Sequence, residues 1–404
     1  MNNPAHTGLV VENHPPQQRS LRVAVVTETY PPEVNGVAHT LQHLVEGLQR
    51  RNHQVQLVRP RQTRSEHPPA ATHLEQVLVR GLPIPRYPEL RMGFPAKSAL
   101  LALWSRQRPD LVHLATEGPL GWSALQAARK LRLPVCSDFR TNFHAYSQHY
   151  GLGWLHKPIA AYLRKFHNQT ACTMVPTAAL QADLQAMGFE RLQVVSRGVD
   201  TTRFHPGWRD PGLRAGWGVA PGDVAVLCVG RLAPEKNLGL LLQAYQAMRQ
   251  VQPRTRLVLV GDGPERAALQ AQCPEACFAG ARRGEDLSRH YASADVFVFP
   301  SLTETYGNVV PEALASGLAV LAYGCAAAAQ LIQPGLNGLL APAGDSNAFC
   351  RRAVDLVADP DRTQRLRLAA QASVQAHAWD RIVAQVEGVW LGAMAQGPLV
   401  TRLS

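Results

Sequence analysis

The chain has 404 residues, too many for one comfortable hydrophobic core and suited to two domains of about 200 residues each. Its apolar content of 46% and charged content of 18% are ordinary for a soluble globular protein, and Gly, Pro or charge breaks every apolar run before the roughly 18 residues that a bilayer span needs. The balance of 41 basic to 30 acidic residues, formally +11, favours acidic partners such as phosphate-bearing small molecules or anionic lipid, while the lack of a basic stripe with interleaved aromatics argues against nucleic acid.

Residues 1–20 carry Pro15, Pro16, Gln17 and Gln18 without the apolar segment of a signal peptide, so they read as a disordered tail. The cysteines, 7 in all, are scattered, which fits reduced thiols in a cytoplasmic setting. Cys273 and Cys277 do not have the spacing of a zinc pair, and no metal site is expected.

Leu21 to Val26 reads as a buried strand. A Pro-rich loop and Asn35-Gly36 follow, then a helix with apolar positions Val37, Leu41, Leu44, Val45 and Leu48, then a strand from Val55 to Val58. This is a βαβ unit whose ligand edge is the carboxyl end of its first strand. Gly36 at the helix entry either lets a phosphate or sugar come close or simply permits the turn. Asp110 to Leu114 is the next strand, before a helix from Pro119 to Leu131, and Pro134 to Ser137 is another. Alternating strands and helices predict a parallel sheet covered on both faces, with His113, Glu117, Asp138, Arg140, Asn142 and His144 gathered at strand ends in one crevice. Leu152 to Phe166 sets Trp154, Leu155, Ile159, Tyr162 and Phe166 among Lys157, Arg164 and Lys165. It reads either as an interfacial segment on anionic lipid or as a core-facing helix with solvated cations, and Tyr87 to Arg108 is a second basic and apolar stretch.

Leu192 to Val195 ends the first half, and a boundary is expected between Phe204 and Pro221. Val224 to Val229 opens a second sheet and runs into G-R-L-A-P-E-K-N before a helix from Leu238 to Val251. Arg231 and Lys236 at this turn would neutralise charge building on a departing diphosphate, and cations have no local reason to flank a helix start. Arg256 to Val260 leads to G-D-G-P-E, where Arg266 excludes a dinucleotide fingerprint. Asp359-Pro360-Asp361 lies away from any strand end and reads as a turn, and two helices follow, from about Arg362 to His377 and from Trp379 to Ala395.

The stretch from Phe299 to Gly324 is the most informative. A strand end (Val296 to Phe299) meets a loop, a helix from about Asn308 to Ser316 and a strand from Leu318 to Ala322. The amides of Tyr306, Gly307 and Asn308 would point outward at a helix start, which suits phosphate, and a side chain at Gly307 would hold the ligand off the backbone. Glu304 and Glu312 are expected to face the same crevice, where carboxylates suit sugar and ribose hydroxyls.

The run S-x-T-E-T-Y-G-N-V-V-P-E-A-L-A-S-G resembles the E-x7-E signature of the retaining GT-B glycosyltransferases of family 4, also called glycosyl transferases group 1, and other family features recur from about Arg22 to Trp390. T-N-F-H-A-Y-S-Q-H-Y-G-L-G-W-L resembles the subgroup that glycosylates lipids, mannosyltransferases and sulfolipid synthases among them. The resemblance implies an α/β fold of two Rossmann-like domains facing a central cleft: 21–205 for the acceptor, 206–380 for the nucleotide-sugar, and 381–404 packing back toward the first domain. It implies that Arg231 and Lys236 meet the donor diphosphate with Thr305, Tyr306, Gly307, Asn308 and the glycine loop at Gly36. Glu304 would hold sugar hydroxyls, Glu312 the ribose, and Arg282 the nucleobase. It also places a histidine near the reacting sugar; Arg140 stands at that place here with His144 four residues on, and the two are expected to act together beside Glu117, Asp138 and Asn142 on the acceptor side.

The implied reaction moves a hexosyl group from GDP-mannose or a UDP-sugar to a glycerolipid or glycolipid, with no cofactor and no metal, at the inner face of a membrane. A nucleotide-sugar epimerase or a glycoside phosphorylase on the same fold stays an alternative, as does a non-catalytic nucleotide-sugar-binding regulator, which should have lost Arg231, Lys236 or Glu304.

Overall fold

The computed structural model describes residues 20–33, 35–63, 66, 74–84, 87–140 and 156–396. Asn142 and His144, with Trp154 and Leu155, lie outside them. The amino-terminal sheet contains β1 (Arg22–Val26), β2 (Gln54–Pro60), β3 (Leu74–Val79), β6 (Leu111–Leu114), β7 (Val135–Asp138), β8 (Cys172–Val175) and β9 (Leu192–Val194), with β4 (Gly81–Ile84) and β5 (Tyr87–Gly93) forming a separate antiparallel hairpin. Its order is β3-β2-β1-β6-β7-β8-β9, with every pairing parallel. The second sheet has β10 (Ala225–Val229), β11 (Arg256–Val260), β12 (Cys277–Gly280), β13 (Val296–Phe299), β14 (Ala319–Tyr323) and β15 (Gly338–Ala341) in the order β12-β11-β10-β13-β14-β15, also parallel throughout. Central strands such as β10 and β13 are buried at every residue, because helices cover both faces of a parallel sheet.

Each sheet reverses its strand order next to its first strand, between β1 and β6 and between β10 and β13. The crevice beyond the carboxyl ends of such neighbours is where ligands bind in this architecture. The topology therefore places the loops after β1, β6, β7, β10 and β13 at two facing edges.

Local sequence explains the helices that carry these loops. Asn35 caps the Gly36–Arg50 helix, its Oδ1 accepting from Val37 N at 3.1 Å and Ala38 N at 2.8 Å. That helix buries Leu41, Leu44, Val45 and Leu48 against β1 and against the terminal Trp379–Ala395 helix, which contributes Ile382, Val383, Val386 and Trp390 to the same core. Arg51 and His53 hold the terminal helix to the first domain through Glu387, at 2.6 and 3.3 Å. The two halves also meet where Val199 N donates to His377 O at 2.9 Å.

Two sequence readings change in detail, and a third is open between two alternatives. Asp359 does not form a free turn: it caps the Pro360–Ser373 helix, its Oδ1 accepting from Arg362 N at 2.9 Å. That helix stops at Ser373, and a short 3-10 turn occupies Gln375–His377. The described part of the Leu152 to Phe166 stretch, the His156–His167 helix, buries Leu163 and Phe166 in the core and exposes Lys157, Arg164 and Lys165, as a core-facing helix would.

Candidate active site

A cleft of about 600 Å³ separates the two facing edges. Its first wall is Glu28, Thr29, Glu33, Asn35, Gly36 and Val37 from the loop after β1, with Arg91, Arg140 and Arg197; its second is Lys236 and Glu304 to Val309. Gly36 lies directly opposite the second wall, since a Cβ built there would stand 3.7 Å from Asn308 Nδ2.

The second wall is built by tying two loops together. Lys236 Nζ pairs with Glu304 Oε1, which also accepts from Ser301 Oγ at 2.8 Å. Thr303 Oγ1 donates to Glu235 O at 3.2 Å, and Asn237 Nδ2 donates to Pro300 O at 3.3 Å. Lys236 ends a 3-10 turn, Pro234–Lys236, and Asn237 takes the left-handed conformation with φ +56° before the Leu238–Val251 helix starts. That turn is what points Lys236 inward. Arg231 goes elsewhere: its guanidinium pairs with Glu235 four residues on, at a largely exposed position, and it does not line the cleft.

Among the described residues the amides of Tyr306, Gly307 and Asn308 have no acceptor within the protein, and the short Val309–Ala315 helix begins directly after them. Gly307 has φ +86°, while a Cβ there would meet nothing closer than 3.5 Å. The position therefore requires glycine for its backbone conformation, not for the clearance expected from the sequence. The Tyr306 ring is buried, and its hydroxyl bridges the two domains by bonding Ser196 Oγ at 2.8 Å and Arg197 O at 3.3 Å.

Glu312 does not share a crevice with Glu304 as expected. Its Oε2 accepts from the buried Tyr291 hydroxyl at 2.8 Å, because one helical turn carries it away from the cleft, and it is not among the lining residues. Arg282 is likewise apart, held on the surface by Ala279 O at 2.8 Å and Asp286 at 3.1 Å. On the first wall, Arg140 is in the cleft and its guanidinium is held by Asp138, which also meets His113 Nε2 at 3.2 Å. Asp138 itself stays behind Arg140, and Glu117 is turned onto His167 Nε2 at 3.2 Å.

Glu28 and Arg197 are among the cleft residues that were not singled out from the sequence. Glu28 sits at the end of β1, its Oε1 accepting from Leu120 N at 2.9 Å at the start of the Pro119–Lys130 helix. A Cβ at Gly118 would lie 2.2 Å from both carboxyl oxygens, so glycine there makes the seat for Glu28. Arg197 follows β9 and stands 5.6 Å over the Tyr306 ring. Both could have been found from their place immediately after a strand, in T-E-T-Y and in S-R-G-V-D.

Burial pushes the carboxyls of Glu28 and Glu312 up to about 7, against opposing hydrogen bonds from Leu120 N and Tyr291. Each therefore keeps in the folded state a proton that the unfolded chain releases near the ordinary glutamate range. Stability from these groups is fully present below about pH 4.5 and is lost as pH rises through about 7. The melting temperature of the ligand-free protein is expected to fall across that window, and E312Q, which mimics the protonated acid, should flatten the fall. An unchanged slope in a melting series from pH 5 to 8 would contradict this.

Residues 34–203 match the family described as Glycosyltransferase Family 4, and residues 223–359 the one described as Glycosyl transferases group 1. The chain is 37% identical over 378 residues to the GDP-mannose-dependent alpha-mannosyltransferase of Mycobacterium tuberculosis, covering 91% of this chain and 96% of that protein. It is 26% identical over 333 residues to the alpha-monoglucosyldiacylglycerol synthase of Streptococcus pneumoniae, covering 79% and 73%. The sucrose-phosphate synthase structure from Thermosynechococcus elongatus superimposes with a TM-score of 0.75 at 20% identity, covering 94% of this chain and 100% of that one, which concerns the fold alone.

Proposed function

The chain belongs to the family 4 glycosyltransferases of group 1, and on that premise we propose that it moves a hexosyl group, with retention at the anomeric carbon, from a nucleotide-diphospho-sugar to a glycerolipid or glycolipid. GDP-mannose is the donor favoured by the 37% identity to the mycobacterial mannosyltransferase, and a lipid acceptor is favoured by the name of the diacylglycerol synthase. The observation that carries the reading is the cleft itself: Lys236, Glu304 and the free amides of residues 306–308 converge on one wall, opposite Gly36.

In this reading the diphosphate lies against Lys236 and the amides, with Arg231 joining by leaving Glu235. Glu304 grips sugar hydroxyls, Glu312 takes up the ribose by exchanging the Tyr291 hydroxyl for it, and Arg282 lies toward the nucleobase. Glu28 and Arg140 bound the acceptor side, where His144 and Asn142 follow in sequence. As the bond from the anomeric carbon to the phosphate oxygen breaks, the acceptor oxygen bonds on the same face and its proton passes to the leaving phosphate. Lys236 and the preorganised amides stabilise the charge that develops. Approach to a lipid acceptor fits the exposed Leu82, Met92 and Phe94 beside Arg80 on the hairpin side of the first domain, as a peripheral contact with anionic membrane. Among the described residues no helix is long and apolar enough to cross a membrane.

The test is product analysis. Incubation with GDP-mannose or UDP-glucose and diacylglycerol or a monoglycosyl diacylglycerol should give a glycolipid whose new linkage, by proton NMR, keeps the donor's anomeric configuration. An inverted linkage would refute retention. Sugar phosphate or an epimer formed with no acceptor glycosylated would refute the transfer reading.

A further inference from the structure

The first wall of the cleft holds more positive charge than its carboxylates balance. Arg197 is partly buried, and among the described residues no carboxylate forms an ion pair with it. Its closest compensation is the Tyr306 ring, over which its guanidinium carbon stands at 5.6 Å. Arg140 faces the same cleft and shares a smaller cavity with Arg197 beside Val195 and Ser196, and its one carboxylate, Asp138, is shared with His113.

Burial first, and then the Arg140 charge, pull the Arg197 guanidinium down to about 10, with Asp138 and Glu304 opposing from farther away. The other acids of the wall are otherwise engaged. Glu28 is turned onto Leu120 N, and Glu33 takes Gln62 Nε2 at 2.6 Å and the Thr29 hydroxyl at 2.5 Å. Two guanidinia lining the same partly dry cleft are costly unless an anion offsets them, and arginine pairs suit planar or tetrahedral oxyanions.

Resting on the transfer reading above, we propose that Arg197 and Arg140 form a second anion subsite, distinct from that of the donor diphosphate, which selects a sugar or headgroup bearing a carboxylate, sulfonate or phosphate. The charged group belongs either to the sugar being moved or to the headgroup receiving it. Lys236 and the 306–308 amides serve the diphosphate on the opposite wall, so the two anions occupy the cleft together.

The experiment begins with binding. Calorimetric titration of the full-length protein with a uronic acid methyl glycoside and with its methyl ester should show the acid binding ~10-fold or more tighter, the scale of a charge-assisted contact. R197Q should abolish that preference and leave GDP and UDP affinity unchanged, whereas R197K, which keeps the charge, should retain part of it. Rates then separate the sources. A preference for UDP-glucuronate over UDP-glucose on one acceptor, lost in R197Q, puts the charge on the donor sugar; a preference for an acidic over an esterified glycolipid acceptor puts it on the headgroup. Equal binding of acid and ester by the wild type would overturn the proposal. So would an R197Q variant that loses GDP or UDP affinity, which would assign Arg197 to the diphosphate. Failure of every sugar transfer would count against the transfer reading, while the titration still decides this one.

Discussion

Replacing Lys236 by Met is expected to lower kcat by ~10²–10³ while the protein stays folded. The residue ends a 3-10 turn at the carboxyl side of β10, where its ammonium group stands 5.8 Å over the Phe299 ring and reaches Glu304. Met keeps the hydrocarbon stem but removes the charge that would meet a departing diphosphate. Its effect should concentrate in the chemical step, because negative charge on the leaving oxygen is greatest in the transition state. Arg231 provides the control. Its guanidinium is exposed and paired with Glu235, so R231M should cost less than K236M, in steady-state rates measured at saturating donor. Equal losses would mean that Arg231, once released from Glu235, carries as much of the charge as Lys236.

The second large effect is expected from a single methyl group. Gly118 has φ −73° and ψ −172°, a conformation open to any residue, so G118A carries no backbone strain. The added carbon would nevertheless fall 2.2 Å from both oxygens of Glu28, which must leave the start of the Pro119–Lys130 helix. A carboxyl at the end of a flexible side chain can move, and burial already disfavours its charged form, so the stability loss should be small: ~1–2 kcal/mol for the hydrogen bond to Leu120 N. The functional loss should be larger, because the displaced group swings into the acceptor side of the cleft. We expect kcat/KM for acceptor to fall ~10-fold or more with nucleoside diphosphate affinity preserved. E28A should show a comparable loss, and the G118A/E28A double variant should be no worse than E28A alone, since the methyl acts only through Glu28. Additive losses would show that Gly118 matters for another reason.

Much of this site is legible in the chain alone, and the legible part has a common cause. A parallel strand buried on both faces is a short apolar run, and the residues directly after it are delivered to the ligand edge. This is how Lys236, Glu304 and the 305–308 turn are found from β10 and β13, and Gly36 and Arg140 from β1 and β7. What sequence alone conceals is orientation. Arg231 and Lys236 look equivalent in G-R-L-A-P-E-K, yet an i,i+4 partner at Glu235 takes the first and the 3-10 turn directs the second inward. Glu312 is found at its expected place in the helix, but which way a helical residue faces depends on the neighbours it meets, and Tyr291 from another helix claims it. Glu28 and Arg197 are hidden for a related reason: their surroundings, Gly118 and Leu120 for one and Tyr306 and Arg140 for the other, are 90 or more positions away in three of the four cases and 57 in the fourth. The strands β3 and β8, and the β4–β5 hairpin, lack the length or alternation that would announce them.

Nucleoside diphosphate affinity, measured by titrating GDP and UDP into the wild type and K236M side by side, tests the central claim that the leaving diphosphate lies between Lys236 and the 306–308 turn. One of the two nucleotides is expected to bind the wild type, and K236M to weaken that binding by ~10-fold or more. Equal affinity in the two proteins would remove the diphosphate from that wall of the cleft and contradict the account.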